Sequence, residues 1–167
     1  MYPYIDALFE FDYPEDRLLK LRGILSADQL RNPNTRDFKG DNLRRVIKHG
    51  LATLTTIGNL SGFESYVCHY SGIGMHDSVE VAIYPCGGDS GPFSRDGDSG
   101  SIIVDALGRF VALLTGGTGP TDLVDITFGT PMYWLWDVIQ EKFPGANLFF
   151  DKEDDCVHLF CPIFSYR

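Results

Sequence analysis

Between residue 43 and residue 128 the chain is a succession of short apolar runs. They are Leu43 to Lys48, Ala52 to Ile57, Phe63 to His69, Val79 to Tyr84, Ser101 to Val104, Phe110 to Thr115 and Val124 to Phe128, with Gly, Asp, Asn or Pro between them. Runs this short, rich in Val, Ile, Thr and aromatics, suit a pleated, half-buried surface. The helices that would carry the chain between parallel strands are missing, so the strands pair antiparallel and close on themselves. The expectation is a mainly β fold, an antiparallel barrel of six to seven strands. An earlier strand is expected to end near Gly23, because Leu19 and Leu21 alternate with Lys20 and Arg22. One helical turn from Ala27 to Leu30 and a loop around Asn32-Pro33-Asn34 follow it.

After residue 128 the period changes. Thr130 can N-cap a helix over 131–143 that has Pro131 at its first position, and Trp134, Leu135, Val138 and Ile139 recur at helical spacing before Pro144-Gly145 stops it. The indoles read as packing residues rather than a ligand platform. Three segments result: 1–17, an acidic and aromatic linker or arm; 18–150, the barrel with its helix; and 151–167, a tail of unexplained role.

At 167 residues with 44% hydrophobic content, the chain can bury one good core. Its net charge of −9 opposes nucleic-acid binding, and Arg44-Arg45 with Lys48 is too small a basic cluster to reverse that. No apolar run approaches about 18 residues and the start lacks a basic-then-apolar leader, so neither membrane insertion nor export is expected. Cys68, Cys86, Cys156 and Cys161 show no framework of regular spacings. They read as buried thiols in a reducing compartment such as the cytoplasm rather than disulfides or zinc ligands. Asp96-Gly97-Asp98-Ser99-Gly100 fails as a calcium loop because Ser101 and Leu107 stand where glycine and glutamate are required. Gly116-Gly117-Thr118-Gly119 lacks the lysine and helix of a phosphate site. No metal and no cofactor are expected.

The chemistry concentrates in Ser94 to Gly117, and within it in Gly97-Asp98-Ser99-Gly100-Ser101. Glycines flanking an Asp-Ser pair let the backbone turn tightly, raise a serine hydroxyl and aim neighbouring N–H groups at one point. A strand, a turn at Asp105 to Gly108 and a second strand follow at once, so the loop is braced by a hairpin. A second frame of the same wording, Gly88-Asp89-Ser90-Gly91, runs into Pro92 and a polar loop. Context therefore favours Ser99 over Ser90 as a nucleophile.

Gly97 to Gly100 with the strands after it resembles the nucleophile region of the chymotrypsin/trypsin-like serine proteases of the PA clan. Lys48-His49-Gly50 through Thr55-Thr56-Ile57-Gly58 is similar to the K-x-G…T-x-G run early in that family's second barrel, except that Leu54 stands where a glycine is usual. Thr130 to Trp136 is similar to the start of its C-terminal helix. The wording of Arg31-Asn32-Pro33, Thr56-Ile57-Gly58 and Leu113 to Gly117 is closest to a group of fungal trypsin-like proteins. The resemblance covers about 18–150 and implies the second barrel of the double-barrel fold. It further implies Ser99 as nucleophile, the N–H groups of Gly97 and Ser99 as oxyanion hole, and Thr115, Gly116 and Gly117 as the strand that pairs with substrate.

A serine needs a general base, and in this family the histidine precedes both the aspartate and the serine in sequence. None of the histidines fits that order: His49 lies within the K-x-G run, His69 ends an expected strand, His76 is in a Gly/Ser loop, and His158 is in the tail. Asp6, in Ile5-Asp6-Ala7-Leu8, has some likeness to the strand carrying the family's aspartate, but 17 residues cannot hold a first barrel, and Asp6 reads as linker. Two functions follow. One is the C-terminal portion of a serine endopeptidase, inactive or dependent on a complementary N-terminal barrel, acting on peptide or protein substrates. The other is a non-catalytic, protease-derived module that binds extended peptides by strand addition.

Overall fold

The computed structural model describes residues 21–33, 35–36, 40, 42–72, 74–87, 90–118 and 126–148. The expectations for 1–17, for the start of the first strand, for Asp6, Gly88, Asp89, Cys156, His158 and Cys161, and for the tail 151–167 fall outside the described residues.

Six antiparallel strands form a closed ring. They are β3 (Asn42–Gly50), β4 (Leu54–Ser71), β5 (Gly74–Pro85), β6 (Ile102–Asp105), β7 (Arg109–Gly117) and β8 (Thr127–Pro131). Each pairs with its neighbour in the order β3, β4, β5, β8, β7, β6, and β6 returns to β3. Two short strands lie outside the ring: β1 (Gly23–Ile24) runs parallel to the start of β7, and β2 (Thr35–Arg36) pairs with β3. A capped turn of helix, α1 (Ala27–Arg31), and the C-terminal helix α2 (Met132–Lys142) complete the described fold. The mainly β fold with one C-terminal helix is as expected from the short apolar runs.

Alternation fills the ring. Val46, Leu60, Val81, Ile83, Ile103, Val111 and Leu114 point inward with Leu25, Leu30 and Phe93, each fully buried aliphatic contributing about 1.5–3 kcal/mol. The inward row of β3 is unusual. Arg44, Val46, Lys48 and Gly50 all face the interior, and two of the four carry charge. Arg44 meets Asp105 at 3.4 Å and Lys48 meets Asp98 at 3.2 Å, so each buried cation has a buried carboxylate. Asp105 also holds the guanidinium of Arg109 at 2.6 Å and so ties down the β6–β7 turn.

Several expectations are corrected. The runs at Ala52 to Ile57 and Phe63 to His69 are one strand, β4, and not two. Gly62, with φ +87°, does not break the strand but sits in a bulge between Leu60 and Glu64, close against the Arg31 carbonyl, where a Cβ would come within 2.7 Å. Ala52 and Thr53 belong to the turn before it. His76 lies in β5, paired with His69, and not in a loop. Thr130 does not cap α2: the cap position is Pro131, which has no side-chain bond to offer, and the Thr130 hydroxyl turns to Glu80 instead. Trp134 is 53% exposed, because Met132, Leu135 and Trp136 share the packed face of α2 and Trp134 lies off it. Cys68 and Cys86 are exposed free thiols, not buried ones, since they fall in the outer part of β4 and just past the end of β5.

Candidate active site

The loop between Phe93 and Ile102 is held at three points. Its approach is fixed by Phe93, which is buried and whose carbonyl accepts the Thr56 hydroxyl at 2.7 Å, and by Ser94, whose hydroxyl lies 2.6 Å from that of Thr127 in the interior. Its exit is zipped to β7: the Gly100 N–H donates to the Leu114 carbonyl at 2.8 Å, and the Leu114 N–H to the Ser101 carbonyl at 2.9 Å. The hairpin read from the sequence thus braces the loop by direct backbone bonds.

Asp98 is the third and strongest anchor. Its carboxylate is fully buried and accepts four hydrogen bonds, from the N–H groups of Ala52 (2.7 Å), Thr53 (3.2 Å) and Arg95 (3.1 Å) and from the Thr53 hydroxyl (2.6 Å). Lys48, also fully buried, places its ammonium beside Asp98 and donates to the Thr53 hydroxyl and the Leu54 carbonyl. Burial by itself would raise the Asp98 pKa, but the Thr53 hydroxyl and the three backbone donors outweigh it and hold the carboxyl well below the usual range.

The turn before β4 is shaped for this contact. Gly50 has no side chain because a Cβ would lie 2.3 Å from Asp98 Oδ1 and 2.9 Å from Ser101 Oγ. Leu54 adopts φ +56°, a left-handed conformation that costs a side-chain-bearing residue energy and that a glycine would take freely. Lysine, threonine and glycine in this stretch are therefore parts of one clamp on Asp98. Lys48 and Thr53 were not singled out as site residues from the sequence. The spacing of 48 and 98 hides their meeting, and only a buried lysine on an inward strand position would have signalled it.

With Asp98 fixed, its neighbours are presented outward. Gly97, at φ +100°, and Ser99 are both exposed. Among the described residues neither the Gly97 nor the Ser99 N–H donates to a protein acceptor. Ser90 is placed differently. Its hydroxyl donates to the Gly87 carbonyl at 2.7 Å and accepts the Gly87 N–H at 3.1 Å, so it closes its own turn.

Thr115, Gly116 and Gly117 end β7, paired on one side to β8 through Gly116 with Phe128 and Gly117 with Thr127. On the other side the last β6 pair is Ile102 with Leu113, and among the described residues no strand lies beyond it. The Thr115 hydroxyl lies within reach of Glu80 Oε2 (3.3 Å) and the Phe128 carbonyl (3.2 Å). His49 is on the exposed side of β3, with Nδ1 2.8 Å from the Thr55 hydroxyl, and His76 is exposed on β5. No bond joins either histidine to Ser99 among the described residues.

No protein-family model matches this sequence, and no curated protein matches it. Among solved structures the chain is similar to a chymotrypsin from Cellulomonas bogoriensis, at 18% identity and a TM-score of 0.46, over 73% of this chain and 52% of that one. The chain spans about half the length of that protein.

Proposed function

We propose that this chain carries the nucleophile and oxyanion side of a trypsin-like serine endopeptidase site, and that a complementary N-terminal barrel supplies the histidine and aspartate. The observation that carries the reading is the Asp98 clamp: it fixes the backbone between Gly97 and Ser99, both exposed and with N–H groups that meet no protein acceptor among the described residues. In the complete site the base takes the Ser99 proton as Oγ bonds to a peptide carbonyl carbon. The oxygen of the resulting tetrahedral adduct accepts the Gly97 and Ser99 N–H bonds. The same base then protonates the leaving amine, and the acyl-enzyme is hydrolysed. Thr115 to Gly117 align the substrate main chain, and the chemistry needs no cofactor.

A second reading, a non-catalytic module that binds extended peptides, is favoured by the one-sided pairing of Thr115 to Gly117. The two differ in an assay of the isolated chain on an activated peptide ester. Lacking a base, the endopeptidase half turns over about 10⁶ below a complete triad, retaining about 10³–10⁴ over water from the oxyanion hole and binding. The first reading predicts that residual rate, unchanged by Ser99→Ala because it does not depend on the serine, and the second predicts no rate above that of water. Ordinary protease turnover abolished by replacing His49 or His76 would overturn the claim that the base lies elsewhere.

A further inference from the structure

Beyond the bulge at Leu60 to Glu64, β4 and β5 pair only with each other and leave the ring as a two-stranded ribbon. Its register sets Tyr66 opposite Val79, Cys68 opposite Asp77 and Tyr70 opposite Met75. Alternate residues of a strand share a face, so these six side chains lie on one side. All are exposed, Tyr70 to 82% and Tyr66 to 74%. Among the described residues no strand pairs with the outer edge of residues 75–80, because β8 stops at Val81. Exposed strand edges are ordinarily blunted by Lys or Pro, yet residues 63–80 hold no Lys, Arg or Pro. A lone two-stranded ribbon is marginally stable in water, and an apolar face on it calls for a cover.

Charge selects the cover. Asp77 lies midway between the Tyr66/Val79 and Tyr70/Met75 pairs, with no cation of the ribbon to meet it. A second copy would bring another chain of net charge −9 and another Asp77 to the same face. We propose that the free edge of β5 receives an extended, basic segment of a partner protein as an added strand in line with β8. The segment follows the pattern apolar-x-Lys/Arg-x-apolar. A cation opposite Asp77 has apolar residues two positions away on each side, about 6.7 Å along the strand, opposite Val79 and Met75. Tyr66 and Tyr70 form the apolar row behind them. Main-chain bonds to the edge supply affinity, and the central cation supplies selection.

The test titrates the isotope-labelled full chain with a synthetic peptide Thr-Val-Thr-Arg-Thr-Val-Thr, and with the same peptide bearing Glu in place of Arg. The Arg peptide is expected to shift the amides of residues 75–79 and to bind at least about fivefold more tightly than the Glu peptide, with the difference falling as salt rises. Asp77→Asn, at an exposed position that leaves the fold intact, weakens the Arg peptide about fivefold, and Asp77→Lys reverses the preference. Equal binding of the two peptides, no binding at millimolar concentration, or shifts confined to residues 115–117 would overturn the proposal. So would a dimer of the chain alone that Tyr70→Ser dissolves, which would assign the face to a second copy. None of these outcomes depends on the role given to Ser99.

Discussion

Replacing Lys48 by Met isolates what the clamp contributes. Methionine keeps most of the stem that reaches past Phe93, whose ring centroid lies 5.6 Å from the ammonium, and removes only the charge and its donors. Asp98 is left fully buried without its cation but keeps its bonds from Ala52, Thr53 and Arg95. Removing one partner of a buried ion pair costs about 3–5 kcal/mol, and the surviving donors place this case near 3 kcal/mol. For a domain of this length that loss lowers Tm by about 6–12 °C. Urea unfolding followed by the fluorescence of Trp134 and Trp136 measures it. Asp98→Asn and the double variant complete a cycle in which the double loses at least about 1 kcal/mol less than the sum of the singles. A loss under about 1 kcal/mol for Lys48→Met, or strictly additive singles, would refute the clamp.

Gly50→Ala drives a Cβ to 2.3 Å from Asp98 Oδ1, and the same unfolding assay is expected to show a loss of about 2–3 kcal/mol together with shifted Gly97 and Ser99 amide resonances. Leu54→Gly relieves a left-handed residue whose side chain is 62% exposed, so it is expected to raise stability by about 0.5–1 kcal/mol in spite of the added freedom of the unfolded chain. The Asp98 carboxyl is depressed in the folded state, so its stabilisation is complete above the unfolded value of about 4 and is lost as pH falls below it. Unfolding free energies measured from pH 6 down to pH 2 are expected to drop below about pH 4, and Asp98→Asn is expected to flatten that part of the profile.

Local patterns were legible before the fold was known. The short runs Val79 to Tyr84 and Phe110 to Thr115, rich in β-branched and aromatic residues, marked true strands, and Gly97 to Ser101 was readable as a hairpin-braced loop because its glycines and the following strands are adjacent in sequence. What escaped were meetings at long separation and signals with two meanings. Lys48 on β3 meets Asp98 in the loop that leads into the neighbouring strand β6, far along the sequence, so neither residue announces the pair. Gly62 is as good a strand breaker as a bulge residue, and only its approach to the Arg31 carbonyl decides between them. The ribbon was hidden for the same reason, since its two halves read as the ends of separate short strands. Trp134 and Trp136 share a helix, and the contact with the Val104, Phe110 and Met132 cluster distinguishes Trp136 as the packed one.

The most direct measurement is fluorophosphonate labelling of the folded full chain in the presence of imidazole, a diffusible base, with the modified residue located by peptide mass mapping. The account predicts imidazole-dependent labelling on Ser99 that Ser99→Ala abolishes, that Ser90→Ala leaves in place, and that Lys48→Met reduces as the loop loosens. Labelling carried by Ser90, or none on Ser99 at any imidazole concentration, would contradict it.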